Sequence, residues 1–370
     1  MRLKTLIMTT MTLLTALTSG ACEADSVLSV DGFPMGEDGI EKGVSACYAG
    51  RIGDCIVMAG GCNFPVNTLA PDSKKKYYKG IYAARIGQAD RLRWTRIGEL
   101  PDASAYGVAV SCDNSMIIAG GMNGKGSQRA VYRITLVNGR SQVASLPALP
   151  CTADNMAGAV VGRRLYVAGG MMDGRPSCRV LCLDLDRPDA GWKERKPFPG
   201  IMRIQPVAGS MGDRRFCIFG GFAPAAAGAE ARLALAGCVY DETTEEWQPL
   251  EGPKDAYDEP LFVGGGAAVQ LSKDSFLVAG GVNKDVFLSA VNHPQAGYLN
   301  HPEAWYRFNP YTLLYNKEGW SIIGKSRETA RAGAALVPTR HGIYVIGGEL
   351  KPRVRSNRIV RIPPLCCQSR

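Results

Sequence analysis

The chain has 370 residues, 46% hydrophobic and 21% charged, with 44 Gly, 22 Pro, 12 Cys and three His. This composition excludes intrinsic disorder, and high Gly with frequent Pro and no long helical apolar period points to many short strands joined by turns. The formal charge of +9 leans toward anionic small ligands, while His293, His301 and His341 have neither H-E-x-x-H nor Cys/His spacing, which argues against a zinc hydrolase or a His-rich redox site.

At the N-terminus, Arg2 and Lys4 precede a Thr-dotted apolar run from Leu6 to Leu17, and Ser19-Gly20-Ala21-Cys22 follows. Residues 1–21 therefore read as an export signal, too short to persist as a membrane anchor. Cleavage before Cys22 suits an ordinary signal peptidase, and the small-small-Cys ending equally suits a bacterial lipoprotein with its lipid on Cys22. No second hydrophobic span follows, so the expected location is the bacterial envelope, most simply the periplasm. Lys74-Lys75-Lys76, beside Tyr77 and Tyr78, is the one basic run. An exported protein rarely meets nucleic acid, so this run reads as a solvated loop.

An apolar run ending in a Gly pair then recurs six times, at Ile56–Gly61, Met116–Gly121, Leu165–Gly170, Phe216–Gly221, Phe276–Gly281 and Ile343–Gly348. Most are preceded by a second small, apolar segment, such as Ala105–Val110 or Arg331–Leu336, which reads as an innermost strand where small residues let repeats crowd around an axis. After each doublet come a loop, a strand such as Val131–Ile134 or Trp305–Phe308, and an outer strand. Four outer strands carry Trp94, Trp192, Trp247 and Trp320, whose recurrence favours packing between repeats over an aromatic sugar platform. Cys47, Cys55, Cys178, Cys182, Cys217 and Cys238 fall in apolar runs and read as small buried hydrophobes. Cys178 and Cys182 stand about 13 Å apart along one strand face, too far to bridge. The pairing of Cys366 and Cys367 stays open.

Six repeats spaced roughly 50 to 67 residues apart predict an all-β fold, a six-bladed β-propeller formed as one domain over residues 22–370. After Gly348 only 22 residues remain, enough for a strand at Asn357–Ile362 but not for a Trp-bearing fourth strand. The alternating segment Ser26–Val30 can supply that strand and close the ring between the termini.

The doublet glycines, the following aromatic strand and the later Trp make the repeat similar to the kelch repeat, from about residue 26 to 362. Residues immediately after the doublets line one mouth of a propeller, and Glu349 is the charged one among them. It opens Gly348-Glu349-Leu350-Lys351-Pro352-Arg353-Val354-Arg355, a Gly-Glu-x-Lys-Pro-x-x-Arg pattern. This resembles the corresponding loop of the N-acetylneuraminate mutarotases, exported bacterial kelch proteins that equilibrate sialic acid anomers. Gly98-Glu99-Leu100-Pro101 leading to Ala105–Val108, and Ala279–Asn283 followed by Asp285-Val286-Phe287, support the match. The order of the pieces resembles the cyclically permuted group of that family, an arrangement a ring of blades tolerates.

The resemblance implies a cofactor-free isomerase acting on sialic acid, with Glu349 and Arg355 as its catalytic pair. Glu349 would take the anomeric hydroxyl proton, while Arg355 would hold the sugar acid's carboxylate and steady the developing oxyanion. A further proton donor or a water is needed, and no residue identifies itself. On spacing alone, the pair reads as an ion pair fastening the loop. Arg331 is either a second carboxylate contact or a channel-mouth charge, and Arg203 has the analogous place two blades earlier. Asn63, Asn283 and Tyr106 are candidates to hydrogen-bond the glycerol or N-acetyl groups, although Asn after Gly-Gly is also a common turn residue. The alternative function is a propeller that binds a glycan or sugar acid without turnover. A copper-type kelch oxidase would need a His, Tyr and Cys constellation, and a sialidase would show Ser-x-Asp-x-Gly-x-x-Trp boxes, which do not occur here.

Overall fold

The computed structural model describes residues 27–365 apart from 67–69, 71, 88 and 227, so the export signal, Cys22, Cys366 and Cys367 lie outside the described residues. Six antiparallel sheets of four strands dominate the all-β chain. Each doublet ends the second strand of a sheet. Sheet one begins with Tyr48–Ile52 and Cys55–Ala59, sheet two with Val108–Cys112 and Ser115–Ala119, and sheet three with Ala157–Val161 and Arg164–Ala168. Sheet four begins with Val207–Met211 and Arg215–Phe219, sheet five with Ala267–Ser272 and Ser275–Ala279, and sheet six with Ala335–Thr339 and Gly342–Ile346. The hairpins between these strands are tight; in sheet two, Asp113 and Asn114 both have positive φ (48° and 53°), the twist that suits a two-residue hairpin.

The fourth strand of sheet six comes from the other end of the chain. Leu28–Val30 pairs antiparallel with Ile359–Ile362, placing Ser29 opposite Val360. Val30 and Ile359 are both buried in the same apolar cluster, which gives this short strand its anchorage.

Six hydrophobic clusters lie between neighbouring sheets rather than within them. Tyr48, Val57, Met116 and Ile118 join sheets one and two, and Tyr166, Ala168, Phe216 and Ile218 join sheets three and four. Ile56, Met58, Tyr344 and Ile346 join sheet six back to sheet one. The four tryptophans pack against these clusters, as their recurrence suggested. Trp192 Nε1 donates to Pro147 O and Trp247 Nε1 to Lys196 O, both at 2.8 Å, so each indole bonds to the preceding repeat.

The second glycine of a doublet donates its N–H to the chain just before the next sheet. Gly61 reaches Ser104 O (2.9 Å), Gly121 reaches Ala153 O (2.8 Å), Gly170 reaches Arg203 O (2.7 Å), Gly281 reaches Arg331 O (2.9 Å), and Gly348 reaches Val44 O (2.8 Å). The last bond runs from sheet six to sheet one. The first glycine of the doublet is fixed by close approach as well: a Cβ on Gly280 would stand 2.2 Å from Arg331 O, and its φ of 73° disfavours any side chain.

A second set of backbone bonds links the segments that precede the six sheets. Ala46 N donates to Gly333 O (2.7 Å), Tyr106 N to Ala46 O (3.1 Å), and Asn155 N to Tyr106 O (2.7 Å). Gln205 N donates to Asn155 O (2.8 Å), Gly265 N to Gln205 O (3.0 Å), and Gly333 N to Gly265 O (2.8 Å), which completes the cycle. All six residues hold φ between 53° and 71°, a left-handed conformation that four of them adopt despite carrying a Cβ.

Three local expectations change. Trp305–Phe308 is not a strand: Glu303–Tyr306 is a 3-10 turn, and the third strand of sheet five is Tyr311–Asn316. Pro302 precedes the turn, and Trp305 stacks on His301 at 3.9 Å instead of joining a ladder. The basic run is only partly loop, because Lys76–Tyr77 pairs with Cys62–Asn63. Cys178 lies outside the strand Val180–Asp184, although it and the other eight described cysteines are free thiols.

Candidate functional site

After five of the six doublets the chain forms a short hairpin ribbon, joined after the third doublet by a further strand, Ala153–Asp154, and after the fifth it forms the helix Lys284–Asn292 instead. The last ribbon and the helix, with the backbone just before each inner strand, line a cavity of about 450 Å³. All six residues of the second backbone cycle line it, and from the helix Val286, Phe287, Ala290 and Val291 face it. The helix begins at Asn283, whose Oδ1 accepts from the N–H groups of Asp285 and Val286, both at 3.1 Å. Phe287 seats it, with its ring 4.9 Å from Phe222.

Glu349 and Pro352 line the cavity from the last ribbon, Glu349–Lys351 with Val354–Arg355. The motif residues explain its shape. Pro352 presets the turn, Arg353 takes φ 70° at its third position, and the register sets Glu349 directly opposite Arg355. The Arg353 N–H then donates to Glu349 Oε1 at 2.6 Å, and Arg355 Nη1 donates to the same oxygen. Glu349 Oε2 has no partner among the described residues. Lys351 ties the ribbon to the segment beyond the helix, donating to Leu299 O (3.2 Å) and His301 O (2.7 Å).

The pair is unevenly exposed: the Glu349 side chain is 25% accessible, and that of Arg355 is 3%. Arg355 thus stands behind the carboxylate rather than beside it in the cavity. Burial pulls its guanidinium down, but the Glu349 carboxylate, with Tyr106 and Cys62 nearby, outweighs burial and holds it above the ordinary arginine range. Arg355 stays charged. Around the Phe64 ring three cations gather, Arg353 at 5.3 Å, Arg355 at 5.5 Å and Lys75 at 5.7 Å from its centroid.

Tyr106 lines the same cavity, turned inward by its left-handed backbone. Its hydroxyl accepts from Lys75 Nζ at 3.1 Å. Burial first, then the Cys62 thiol, push this phenol well above its ordinary value, so it is a neutral hydrogen-bond donor. Tyr298, also on the wall, is pushed up to about 12 by burial.

Of the seven residues singled out by sequence, Glu349, Arg355, Tyr106 and Asn283 come together here. Three do not. Asn63 is buried, donating to Gly39 O and Gly43 O and accepting from the Tyr78 hydroxyl, so it fixes a loop rather than touching the cavity. Arg331 is 1% exposed, and its Nη1 donates to Gly347 O (3.0 Å) and Arg358 O (2.6 Å). Arg203 makes the equivalent bonds to Gly220 O (3.3 Å) and Ala236 O (2.8 Å). Both arginines fasten a doublet to the third strand of their sheet, because carbonyls freed where two strands diverge need a donor.

Sequence reasoning missed Asn155, Gln205, Tyr298 and Phe287 on the wall, and Lys75 behind Tyr106. Aligning the residue just before each inner segment would have collected Ala46, Tyr106, Asn155, Gln205, Gly265 and Gly333 as one repeated position. The helix carried an i, i+4 apolar signal in Val286–Ala290 and Phe287–Val291. Lys75 carried none that separates it from Lys74 and Lys76.

A family model described as N-acetylneuraminate epimerase matches residues 7–142 and 146–363. The chain is 30% identical over 226 residues to an N-acetylneuraminate epimerase of Yersinia enterocolitica, covering 57% of this chain and 55% of that one. It is 29% identical over 223 residues to one of Haemophilus influenzae, covering 57% of each. A kelch domain-containing protein of Vibrio cholerae is 24% identical over 228 residues, covering 57% of this chain and 61% of its own. The chain thus spans somewhat more than half the length of the curated relatives it matches. The solved structure of YjhT superposes with a TM-score of 0.61 at 14% identity, over 90% of this chain and 95% of that one, a likeness of fold.

Proposed function

The chain belongs to the N-acetylneuraminate epimerase family, and from that premise we propose that it is a mutarotase interconverting the α and β anomers of N-acetylneuraminate without a cofactor. The observation that carries this reading is the Glu349 carboxylate on the cavity wall, with one oxygen fixed by Arg355 and the Arg353 N–H and the other without a partner among the described residues. In the mechanism, Glu349 takes the proton of the anomeric hydroxyl as the bond from the anomeric carbon to the ring oxygen breaks. The bonding pair goes to the ring oxygen, which takes a proton from a cavity hydroxyl or water, leaving an open-chain ketone. Rotation presents the other carbonyl face, the ring oxygen re-adds, and both protons return. Arg355, paired and buried, keeps the base in place.

The same proposal takes the six sheets as blades of one six-bladed kelch propeller over residues 22–370, closed by the N-terminal strand and cyclically permuted relative to the usual order of the family. It takes residues 1–21 as an export signal to the bacterial envelope.

Proton NMR of freshly dissolved crystalline N-acetylneuraminate tests the activity. Wild-type protein should speed anomer exchange over buffer, and Glu349→Gln should lose about 100-fold or more of that acceleration while still binding the sugar. The ion pair across the ribbon also suits a propeller that only binds a sugar acid. Binding with no acceleration by wild type would establish that second reading, and a Glu349→Gln variant as active as wild type would remove the base assigned here.

A further inference from the structure

Three cations stand around the Phe64 ring, behind the lining residues Tyr106 and Glu349 of the cavity, and their commitments differ. Arg355 is nearly inaccessible and bonded to Glu349. Arg353 donates its Nη1 to Ala70 O at 2.8 Å. Lys75 Nζ makes one hydrogen bond among the described residues, to the Tyr106 hydroxyl, and no carboxylate pairs with it. Two of its three N–H groups are thus uncommitted among the described residues. The ammonium is held 4.8 Å above the Tyr106 ring, and Tyr106 forms part of the cavity wall. Its neighbours in the basic run face elsewhere: Lys74 is exposed, and Lys76 pairs with Asp38 at 3.1 Å.

The chemistry of the ligand makes this free charge matter. In a 2-keto sugar acid the carboxylate is bonded to the anomeric carbon itself. Seating the anomeric hydroxyl on Glu349 therefore brings two carboxylates within a few ångström of each other in a partly buried site. One cation cannot neutralise both, and like charges at that range oppose binding. Arg355 answers Glu349, so the ligand's carboxylate needs another partner.

We infer that Lys75, not Arg355, takes the ligand's carboxylate, and that it restricts the cavity to sugars bearing an acid on the anomeric carbon. This rests on the sugar-acid reading of the site above, but it concerns affinity and can be measured without turnover.

The test compares binding of N-acetylneuraminate with that of its neutral 1-carboxamide by calorimetry, for wild type, Lys75→Met, Lys75→Gln and Lys75→Arg, with thermal melts as the check on folding. Wild type should prefer the acid by about ten-fold or more, a preference that weakens with salt. Lys75→Met and Lys75→Gln should bind the acid about ten-fold more weakly and the amide unchanged, and Lys75→Arg should restore most of the preference. The inference is overturned if wild type shows no preference, if both neutral variants keep it, or if it vanishes in Arg353→Met instead. Anomer exchange measured on the same samples separates the two ideas: an acid preference that depends on Lys75, without acceleration, supports this inference and sinks only the mutarotase.

Discussion

Arg331 and Arg203 show how little a residue's type and position along the chain say about where its side chain points. Both stand just before an inner strand, where a charge at a channel mouth is a reasonable expectation. Both instead turn into the protein, where each satisfies two carbonyls. Burial lowers the Arg331 guanidinium to about 10, which still leaves it charged at neutral pH. Replacing it in Arg331→Met would leave Gly347 O and Arg358 O without their donor, at a cost of about 3 kcal/mol. Urea unfolding should register that loss while affinity for N-acetylneuraminate stays at its wild-type value. A variant of unchanged stability and weakened affinity would instead return Arg331 to the role of carboxylate contact.

The helix Lys284–Asn292 is the element that makes the cavity asymmetric, and it is too short to hold itself together in water. Its stability comes from its ends and one ring: the Asn283 cap, Phe287 against Phe222, and Asn292 Oδ1 accepting from Ala231 N at 2.8 Å. The cap is thus the main function of Asn283, although it borders the cavity. Asn283→Ala should cost about 1 kcal/mol, seen as faster amide exchange confined to residues 284–292 and weaker ligand binding. Global unfolding should barely change, because the six sheets do not depend on this insert. Exchange unchanged in the helix would show that the cap contributes nothing. The Glu349 ribbon is a companion case. The sequence marks its turn through Pro352, but the alignment of Glu349 with Arg355 comes from strand register.

Across the whole molecule packing buries many phenols, and this gives a pH signature. Tyr77, Tyr298 and Tyr315 are each pushed up to about 12, chiefly by burial, and Tyr48 and Tyr82 are raised further. Unfolded phenols ionise near pH 10. Above that value the unfolded chain releases protons that the folded one retains, so the unfolded state gains stability as pH rises. The contribution of these groups to folding is complete below about pH 10 and falls away between about 10 and 12 and beyond. Urea midpoints taken at rising pH should drop over that window, with the phenolate absorbance of the buried tyrosines appearing only as the protein unfolds. Phenolate absorbance from all 14 tyrosines near pH 10 in the folded state would contradict the burial.

By itself the sequence determined the local and repeating features. Short strands, six doublets each closing a second strand, Trp94, Trp192, Trp247 and Trp320 on outer strands, and Leu28–Val30 as a partner for Ile359–Ile362 all follow from alternation, glycine spacing and counting. Glu349 was legible because it is the charge that follows a doublet directly. Trp305–Phe308 misled because an aromatic run has the composition of a strand, and only the packing of Trp305 on His301 reveals a turn. The cavity wall was decided by tertiary structure alone. Ala46, Tyr106, Asn155, Gln205, Gly265 and Gly333 meet in one hydrogen-bonded cycle, and Lys75 meets Arg355 across Phe64, although most of the chain lies between them. Periodicity reports what a residue's neighbours along the chain are. Charge pairing, burial and the direction of a side chain depend on neighbours that only the assembled sheets bring close.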